Sequence, residues 1–204
     1  MKKFWIEQEK KFMNDKQLIF KNVLNEPYVI NGKIIFDSRS CAVTGTIMLW
    51  VDGEHSPRVL VSQRGLKAAD FKGLYNCVAG YLDKNEFGYE AMFRETFEET
   101  GLNLIELALS ENVIGVLSEH IEQPWYVNTD PKENRQNVSL RYGICFKYKA
   151  NVELPKLTTI YNEVEHESEN PMWLSYDDID KYKFAFEHEK TIKQYYNSYL
   201  SSFK

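Results

Sequence analysis

The sequence predicts a layered domain of the α/β class, and three observations support this prediction. Short strand-like runs are preceded and followed by segments with helical character. The chain has 204 residues, which is the length of one ordinary domain. Hydrophobic residues make up 43% of it and aromatic residues 14%, so a full core can form.

The first part of the chain, residues 1–37, is predicted to be an addition to this domain. It begins with a charged helical segment and continues with EPYVINGKIIF. The pair Asn31-Gly32 is typical of a two-residue hairpin turn, so this segment is predicted to be a β-hairpin. The sequence leaves open whether the extension forms a homodimer surface or covers the functional site.

The first strands of the main domain are predicted at residues 41–51 and 57–65. Asp52 and Gly53 lie in the turn between them, where residues of these types are common. Residues 73–83 are expected to form either strand or loop.

Further strands are predicted at residues 111–121 and 138–149, separated by the polar loop NTDPKENRQN. Residues 171–179 are predicted to be a short strand that leads into a last helix at 187–200. Strands interspersed with helices in this order are typical of an α/β layered architecture.

Composition argues against several classes of partner. The formal net charge is -5, which argues against nucleic acid or an anionic membrane as a partner of the whole surface. No apolar run approaches the roughly 18 residues of a membrane helix, and no signal peptide is recognised. Cys41, Cys77 and Cys145 form no CxxC pair, so they are interpreted as buried thiols in a reducing compartment. The predicted location is cytoplasmic.

A helix is predicted at residues 87–100, and Gly101 is a typical C-terminal stop. At about 100° per residue, one face carries apolar and aromatic side chains and is expected to pack into the core. That face is made up of Tyr89, Met92, Phe93, Thr96 and Phe97.

The carboxylates of Glu95, Glu98 and Glu99 fall together within an arc of about 100° on the same helix. Most charge runs are simply solvated faces. Here, however, like charges at these spacings destabilise a helix, and they lie at its C-terminal end, where negative charge is disfavoured. No lysine in the helix compensates them. Three such carboxylates indicate a hard divalent cation, Mg²⁺ or Mn²⁺.

The wider stretch resembles the Nudix box, G-x5-E-x7-R-E-U-x-E-E-x-G-U, where U is a bulky aliphatic residue. Its charged and glycine positions are filled by Gly80, Glu86, Arg94, Glu95, Glu98, Glu99 and Gly101. Leu102 fits the last position. Thr96 departs from the first U, and Val78-Ala79-Gly80 stands where the family often has Pro-Gly-Gly. The segments PMWLSYDDI and FAFEHEKTI also resemble the closing strand and helix of many Nudix hydrolases.

This resemblance implies a Nudix-type α/β/α sandwich with a mixed β-sheet, covering residues 38–204. It implies an Mg²⁺-dependent hydrolase, with Mn²⁺ as an alternative ion, that cleaves the pyrophosphate linkage of a nucleoside diphosphate joined to a group X. Metal-assisted hydrolysis agrees with the carboxylate cluster, since it needs neutralised phosphates and an activated water.

The resemblance also implies residue roles. The metal ligands would be Glu95, Glu98 and Glu99, one of which could also act as the base, together with the main-chain carbonyl of Ala79. Arg94 would orient Glu95 and pair with Glu86. Gly80 and Gly101 would serve backbone geometry.

Many enzymes of this family supply one more carboxylate from a loop outside the box. The loop YNEVEHESENP offers Glu163, Glu165, Glu167 and Glu169. For any single one of them a solvated position is the commoner outcome. As a group they are the best place to look for a further ligand or general base, and Glu163 is chosen as the catalytic candidate.

Substrate contacts are assigned to Arg64, Arg135 and Arg141, which could bind phosphates or a terminal group, and to Tyr75, which could stack on a base. Core packing is the alternative for Tyr75. The four histidines have no ligand spacing with one another, so structural or surface roles are expected for them.

Three functions are weighed. A hydrolase is favoured because the box carboxylates are complete. A non-catalytic Nudix-fold module that binds nucleotide would be expected to have lost them. An isoprenoid diphosphate isomerase would need a paired cysteine and histidine, which NCVAG does not provide. The segment FAFEHE resembles the branch of the family that acts on ADP-ribose or nucleotide sugars, so this resemblance implies such a substrate, while nucleoside triphosphates and dinucleoside polyphosphates stay open.

Overall fold

An eight-stranded mixed sheet forms the centre of the molecule. The structure, a computed structural model, describes residues 2–14, 17–18, 27–36, 41–68, 70–130, 137–159 and 167–203. The strands are β1 (Met13–Asn14), β2 (Gln17–Leu18), β3 (Pro27–Ile30), β4 (Lys33–Phe36), β5 (Cys41–Val51), β6 (Arg58–Arg64), β7 (Tyr75–Asn76), β8 (Val78–Tyr81), β9 (Val113–His120), β10 (Tyr126–Asp130), β11 (Asn137–Tyr148) and β12 (Ser168–Ser175). The helices are α1 (Lys2–Phe12), α2 (Gly88–Thr100), α3 (Leu104–Leu109) and α4 (His188–Tyr199), with 3₁₀ turns at Tyr176–Lys181 and Ser201–Phe203.

The sheet has the order β10-β11-β5-β6-β12, and β9, β8 and β7 pair with β11, β5 and β6. β5 and β11 run parallel over eleven residue pairs, from Val138↔Cys41 to Tyr148↔Val51, whereas the other pairs are antiparallel. The parallel strands are buried on both faces, as parallel strands require.

Two hydrophobic cores lie on the two faces of the sheet. Val43, Ile47 and Leu49 of β5 face the core that α1, α2 and α3 cover. Met48 and Trp50 of the same strand face the other core, which α4 covers. This alternation follows from the two-residue period of a strand. The predicted α/β/α arrangement with a mixed sheet is confirmed.

The N-terminal extension contains both predicted elements. β3 and β4 form a hairpin that turns at Asn31 and Gly32, which have φ angles of 53° and 73°. The helix α1 packs into the core of the main domain, because Trp5 is 2% exposed and Phe12 is 8% exposed. The domain boundary at residues 37/38 stays a prediction.

Other elements differ from the prediction. Residues 128–130 belong to β10, which pairs with β11 as Asn128↔Ser139 and Asp130↔Asn137, so part of the predicted polar loop is an edge strand. A polar edge strand lacks the apolar alternation by which strands are recognised. α3 was not predicted, because its six residues are too few to show helical periodicity. It is capped by Asn103, whose side chain accepts from Ile105 N and Glu106 N.

Candidate active site

The helix α2 carries the predicted acidic residues and is well defined at both ends. The Phe87 N–H donates to Glu90 Oε2 at 2.9 Å in the first turn, and Gly101 takes a left-handed conformation with φ of 67° after the last. Met92, Phe93 and Thr96 are buried against the sheet, whereas Tyr89 and Phe97 are only half-buried. The predicted face is therefore shifted away from Phe97.

Thr96, which departs from the aliphatic consensus, is fully buried. Its Oγ1 donates to the Met92 main-chain oxygen at 2.6 Å. This bond to the preceding turn satisfies the hydroxyl, so a threonine replaces an aliphatic residue there without leaving an unpaired polar group.

Arg94 lies at the centre of the acidic cluster and is 5% exposed. All five of its N–H groups donate. Nε and Nη2 bind the two oxygens of Glu86 at 2.9 and 3.0 Å, and Nη2 also reaches the Tyr81 main-chain oxygen at 3.0 Å. Nη1 binds Glu95 Oε1 at 2.7 Å and Glu98 Oε2 at 3.0 Å. One guanidinium thus holds three carboxylates and ties α2 to the loop that precedes it.

Gly80 allows the cluster to approach the sheet. A Cβ atom at this position would lie 1.9 Å from Glu95 Oε1 and 2.0 Å from Glu95 Cδ. Glu95 therefore occupies the space that any other side chain at position 80 would fill. Gly80 does not have a positive φ angle. A glycine is required at this position because the Glu95 carboxylate approaches its backbone closely.

Glu95 and Glu99 are shifted strongly toward the protonated state. Burial raises the pKa of Glu95 to about 7, although Arg94 lowers it and Glu98 adds to the rise. Burial and the nearby Glu95 raise the pKa of Glu99 well above its usual value. Glu99 is 7% exposed, and its Oε2 has no hydrogen-bond partner in the described part of the chain.

Ala79 lies next to the same cluster, because its main chain forms a hydrogen bond with the Glu99 carboxylate. It is paired with Thr44 in the sheet. The residue predicted to offer a main-chain ligand and one of the predicted carboxylate ligands are therefore in contact.

The predicted metal ligands do not form a ready-made site. Within the described residue ranges, no three His, Cys, Asp or Glu side chains are arranged to hold a metal ion. The physical reason is that Glu95 and Glu98 are both hydrogen-bonded to Arg94, while Glu99 turns toward Ala79.

Arg64 and Arg141 converge on this region from different strands. The pKa of His188 is lowered to about 3, mainly by burial and further by the positive charges of Arg141 and Arg64. Arg64 also lowers the pKa of Glu99. The guanidinium of Arg141 lies 5.0 Å from the centre of the Tyr126 ring. Arg64 therefore lies near the acidic cluster, and Arg141 lies near His188.

Tyr75 is half-buried in the second core. Its ring packs edge-on against Tyr182 at 5.0 Å and contacts Phe184 at 6.4 Å. This placement favours the packing role over base stacking. The thiol of Cys77 is fully buried, and burial raises its pKa to about 12, as expected of an inert thiol.

Two further candidates, Glu163 and Arg135, lie outside the described residues, as does Glu165. From the same acidic loop, Glu167 is described, and its charge raises the pKa of Glu99. Sequence reasoning chose Glu163 from four similar glutamates, and no local signal separated them.

His188 has a structural role, as expected from the sequence, and the structure shows the contact that it makes. It is 5% exposed at the start of α4, and its Nδ1 accepts from the Cys77 main-chain N–H at 3.1 Å. Its contact with β7–β8 joins residues 111 positions apart, which explains why spacing within the sequence did not reveal it.

Two open depressions on the surface are lined by none of those predicted site residues that the structure describes. One, of about 380 Å³, is lined by Phe4 and residues 119–123, and the other, of about 230 Å³, includes Trp50 and Phe203. None of the helices among the described residues has the length and apolar character needed to cross a membrane.

Comparisons with known proteins agree with this architecture. The NUDIX domain family matches residues 43–195. No curated protein matches the sequence. A Nudix hydrolase from M. smegmatis, RenU, has a TM-score of 0.55 and 14% identity over 82% of this chain and 89% of its own.

Two further solved structures share the fold. A bifunctional NMN adenylyltransferase/ADP ribose pyrophosphatase from Francisella tularensis, complexed with AMP and a manganese ion, has a TM-score of 0.55 and 18% identity over 97% of this chain and 47% of its own. The E. coli dihydroneopterin triphosphate pyrophosphohydrolase has a TM-score of 0.51 and 13% identity over 79% of this chain and 97% of its own. At these identities the likeness concerns the fold.

Proposed function

This chain belongs to the NUDIX family and is a pyrophosphohydrolase, and we propose that it is an Mg²⁺-dependent enzyme that cleaves the pyrophosphate linkage of a nucleoside diphosphate joined to a group X. The observation that carries this proposal is the buried carboxylate cluster. Among the described residues, one carboxylate oxygen of Glu99 has no hydrogen-bond partner. The neighbouring Glu95 and Glu98 are both hydrogen-bonded to Arg94.

The residues fit a divalent ion by the chemistry of their donors. Hard cations prefer carboxylate and carbonyl oxygens, and Glu95, Glu98, Glu99 and the Ala79 carbonyl are proposed to hold the ion. When bound, the ion neutralises phosphate charge and activates water for attack on phosphorus. A buried carboxylate oxygen without a partner among the described residues, as in Glu99, is what such a ligand would leave in the metal-free protein.

The chain's own residues have distinct proposed tasks. Arg94 fixes the orientation of Glu95 and Glu98 through charge-assisted hydrogen bonds. The side chain of Glu98 is 31% exposed, against 14% for that of Glu95, so it is the member best placed to meet substrate and accept the proton of the attacking water. Arg64 and Arg141 are proposed to contact the phosphates. Water then adds to one phosphorus as its bridging P–O bond breaks, giving two phosphate-bearing products.

We propose an ADP-ribose or nucleotide-sugar substrate, on the basis of the segment FAFEHE that leads into α4. Arg64, which interacts with Glu99, and Arg141, which with Arg64 lies near His188, support a substrate with a diphosphate. The cytoplasmic location and the homodimer stay predictions.

The test is hydrolysis of a nucleotide panel with Mg²⁺ or Mn²⁺, with products resolved by chromatography. The panel contains ADP-ribose, nucleotide sugars, NADH, nucleoside triphosphates and diadenosine polyphosphates. We expect metal-dependent cleavage of ADP-ribose or a nucleotide sugar, abolished by Glu98→Gln and kept by the exposed control Glu111→Gln. Cleavage of only a triphosphate would correct the substrate class.

A second measurement separates hydrolysis from binding alone. Millimolar Mg²⁺ is expected to raise the melting temperature of the wild type, because a ligand of the native state stabilises it. Metal binding without cleavage of any nucleotide would favour a non-catalytic binding module, and a melting temperature unaffected by either ion would contradict the metal site.

A further inference from the structure

An exposed pair of aromatic rings lies on turns outside the Nudix box. Phe71 is 48% exposed and Phe186 is 40% exposed. Their ring centroids are 4.8 Å apart and the rings meet edge to face at 70°. The two residues are 115 positions apart, so the fold brings the rings together at the surface.

The backbone at this pair is unusual. Phe71 and Phe186 have φ angles of 50° and 54°, and Glu187 follows at 57°. Every other non-glycine residue with positive φ in the described part of the chain is an asparagine, which adopts this conformation readily. Bulky side chains in this conformation are strained, and such strain clusters at functional sites. Phe71 and Phe186 thus occupy backbone positions at which asparagine or glycine would relieve the strain.

The aromatic pair borders the acidic cluster through Arg64. The guanidinium carbon of Arg64 lies 4.9 Å from the centre of the Phe186 ring. Asp70, next to Phe71, holds the same guanidinium, with its main-chain oxygen at 2.9 Å from Nε and its carboxylate at 2.8 Å from Nη2. Arg64 in turn interacts electrostatically with Glu99.

A second connection runs through His188. The rings of Phe186 and His188 are 5.5 Å apart, and His188 Nδ1 accepts from the main chain of Cys77, two residues before Ala79. The exposed rings thus lie beside Arg64 and His188, and Arg64 connects them to the buried carboxylate of Glu99.

We propose that Phe71 and Phe186 form the base-binding subsite, in which the planar ring system of the nucleotide stacks while Arg64 contacts its phosphates. This inference rests on the proposed function and adds the residues that recognise the base. Phenylalanine offers a π-face and no hydrogen-bonding group, so stacking here selects a planar ring without distinguishing between bases.

The test is calorimetric binding of two probes in the presence of Mg²⁺: ADP, which carries a base, and inorganic pyrophosphate, which does not. The variants are Phe186→Leu and Phe71→Leu, because leucine keeps an apolar side chain and removes the ring. Phe203→Leu, at a phenylalanine that is 47% exposed in the last 3₁₀ turn, is the matched control. Circular dichroism melts check that each variant folds.

We expect Phe186→Leu to weaken ADP binding about tenfold and to leave pyrophosphate binding within about twofold of the wild type. Phe71→Leu should act in the same direction, and Phe203→Leu should change neither affinity. Unchanged ADP affinity in both ring variants would overturn the subsite. Equal loss for both probes would also overturn it, since the rings would then act only through Arg64.

The same experiment separates this proposal from the one on which it rests. If the wild type binds both probes and the ring variants bind ADP normally, only the subsite is wrong. If the folded wild type binds neither probe with Mg²⁺ present, the proposed function fails and the subsite fails with it.

Discussion

The acidic cluster and the aromatic pair beside it are built in opposite ways. The cluster comes from residues 80–101, is largely buried, and is organised by one arginine whose five N–H groups all donate. The aromatic pair comes from turns 115 positions apart, is exposed, and has a backbone that its side chains disfavour. The difference suggests that the chemistry of this site is encoded locally, whereas recognition is assembled by the fold. Four predictions test this contrast.

The largest expected effect comes from Arg94→Gln. Removing a buried cation that holds Glu86, Glu95 and Glu98 leaves their charges uncompensated, so the free energy of unfolding should fall by about 3–5 kcal/mol. Urea denaturation measures this. Arg58→Gln is the control, because Arg58 also binds a carboxylate, that of Glu54, but about one-third of each side chain is exposed.

The control should lose less than about 1 kcal/mol. Similar losses for the two arginine variants would show that the cluster is no more than an ordinary surface network.

Next is Glu99→Gln, which removes the carboxylate with the unpartnered oxygen. We expect metal-dependent cleavage to fall by at least about 10²-fold, because a ligand of the proposed ion is lost. Without metal, the melting temperature should stay the same or rise, because glutamine keeps a side-chain acceptor for the Ala79 main chain and replaces a carboxyl group whose ionisation is disfavoured by burial. Rates and melts with and without Mg²⁺ check both parts. Full activity in this variant would contradict a role for Glu99 as a ligand.

Gly80→Ala is expected to act on activity more than on stability. The new Cβ would occupy the place of Glu95 Oε1, so that carboxylate must rotate away and lose its hydrogen bond with Arg94, at a cost of about 1–3 kcal/mol. The rate should nevertheless fall by about 10- to 10²-fold, because a catalytic group is displaced. Gly115→Ala is the control, since its Cβ would meet only Lys147 Cβ at an ordinary 3.7 Å. A rate equal to that of the control would show that Glu95 need not lie against the sheet.

The smallest expected effect concerns the buried side chain of His188. His188 is buried and its pKa is lowered to about 3, so between pH 6.5 and that value the unfolded chain binds a proton that the native state does not. Its contribution to stability is therefore complete above pH 6.5 and is lost as the pH falls, by about 1.4 kcal/mol per pH unit. His188→Asn removes this dependence.

Urea denaturation of both proteins from pH 7 to pH 5 measures the effect. The difference in unfolding free energy between wild type and His188→Asn should shrink as the pH falls. A difference that is constant over this range would show that His188 is not held neutral.

The sequence by itself determined the local features of the fold, which depend only on residues close together in the chain. The hairpin at Asn31-Gly32, the helix stop at Gly101 and the buried face around Met92 and Phe93 follow from backbone preferences and from the 3.6-residue period. The spacing of Glu95, Glu98 and Glu99 likewise placed these three carboxylates on one helix. These features need no knowledge of distant contacts.

Only the tertiary structure decided which separate segments meet. Strand pairing brings Arg64 and Arg141 near His188. Tyr75 packs against Tyr182 in the second core. Part of the predicted polar loop pairs with β11 as the edge strand β10. The pairing of distant strands is set by sheet register and burial, and residues far apart in sequence carry no periodic signal of their meeting. For the same reason, the contact between the rings of Phe71 and Phe186 could be identified only from the tertiary structure.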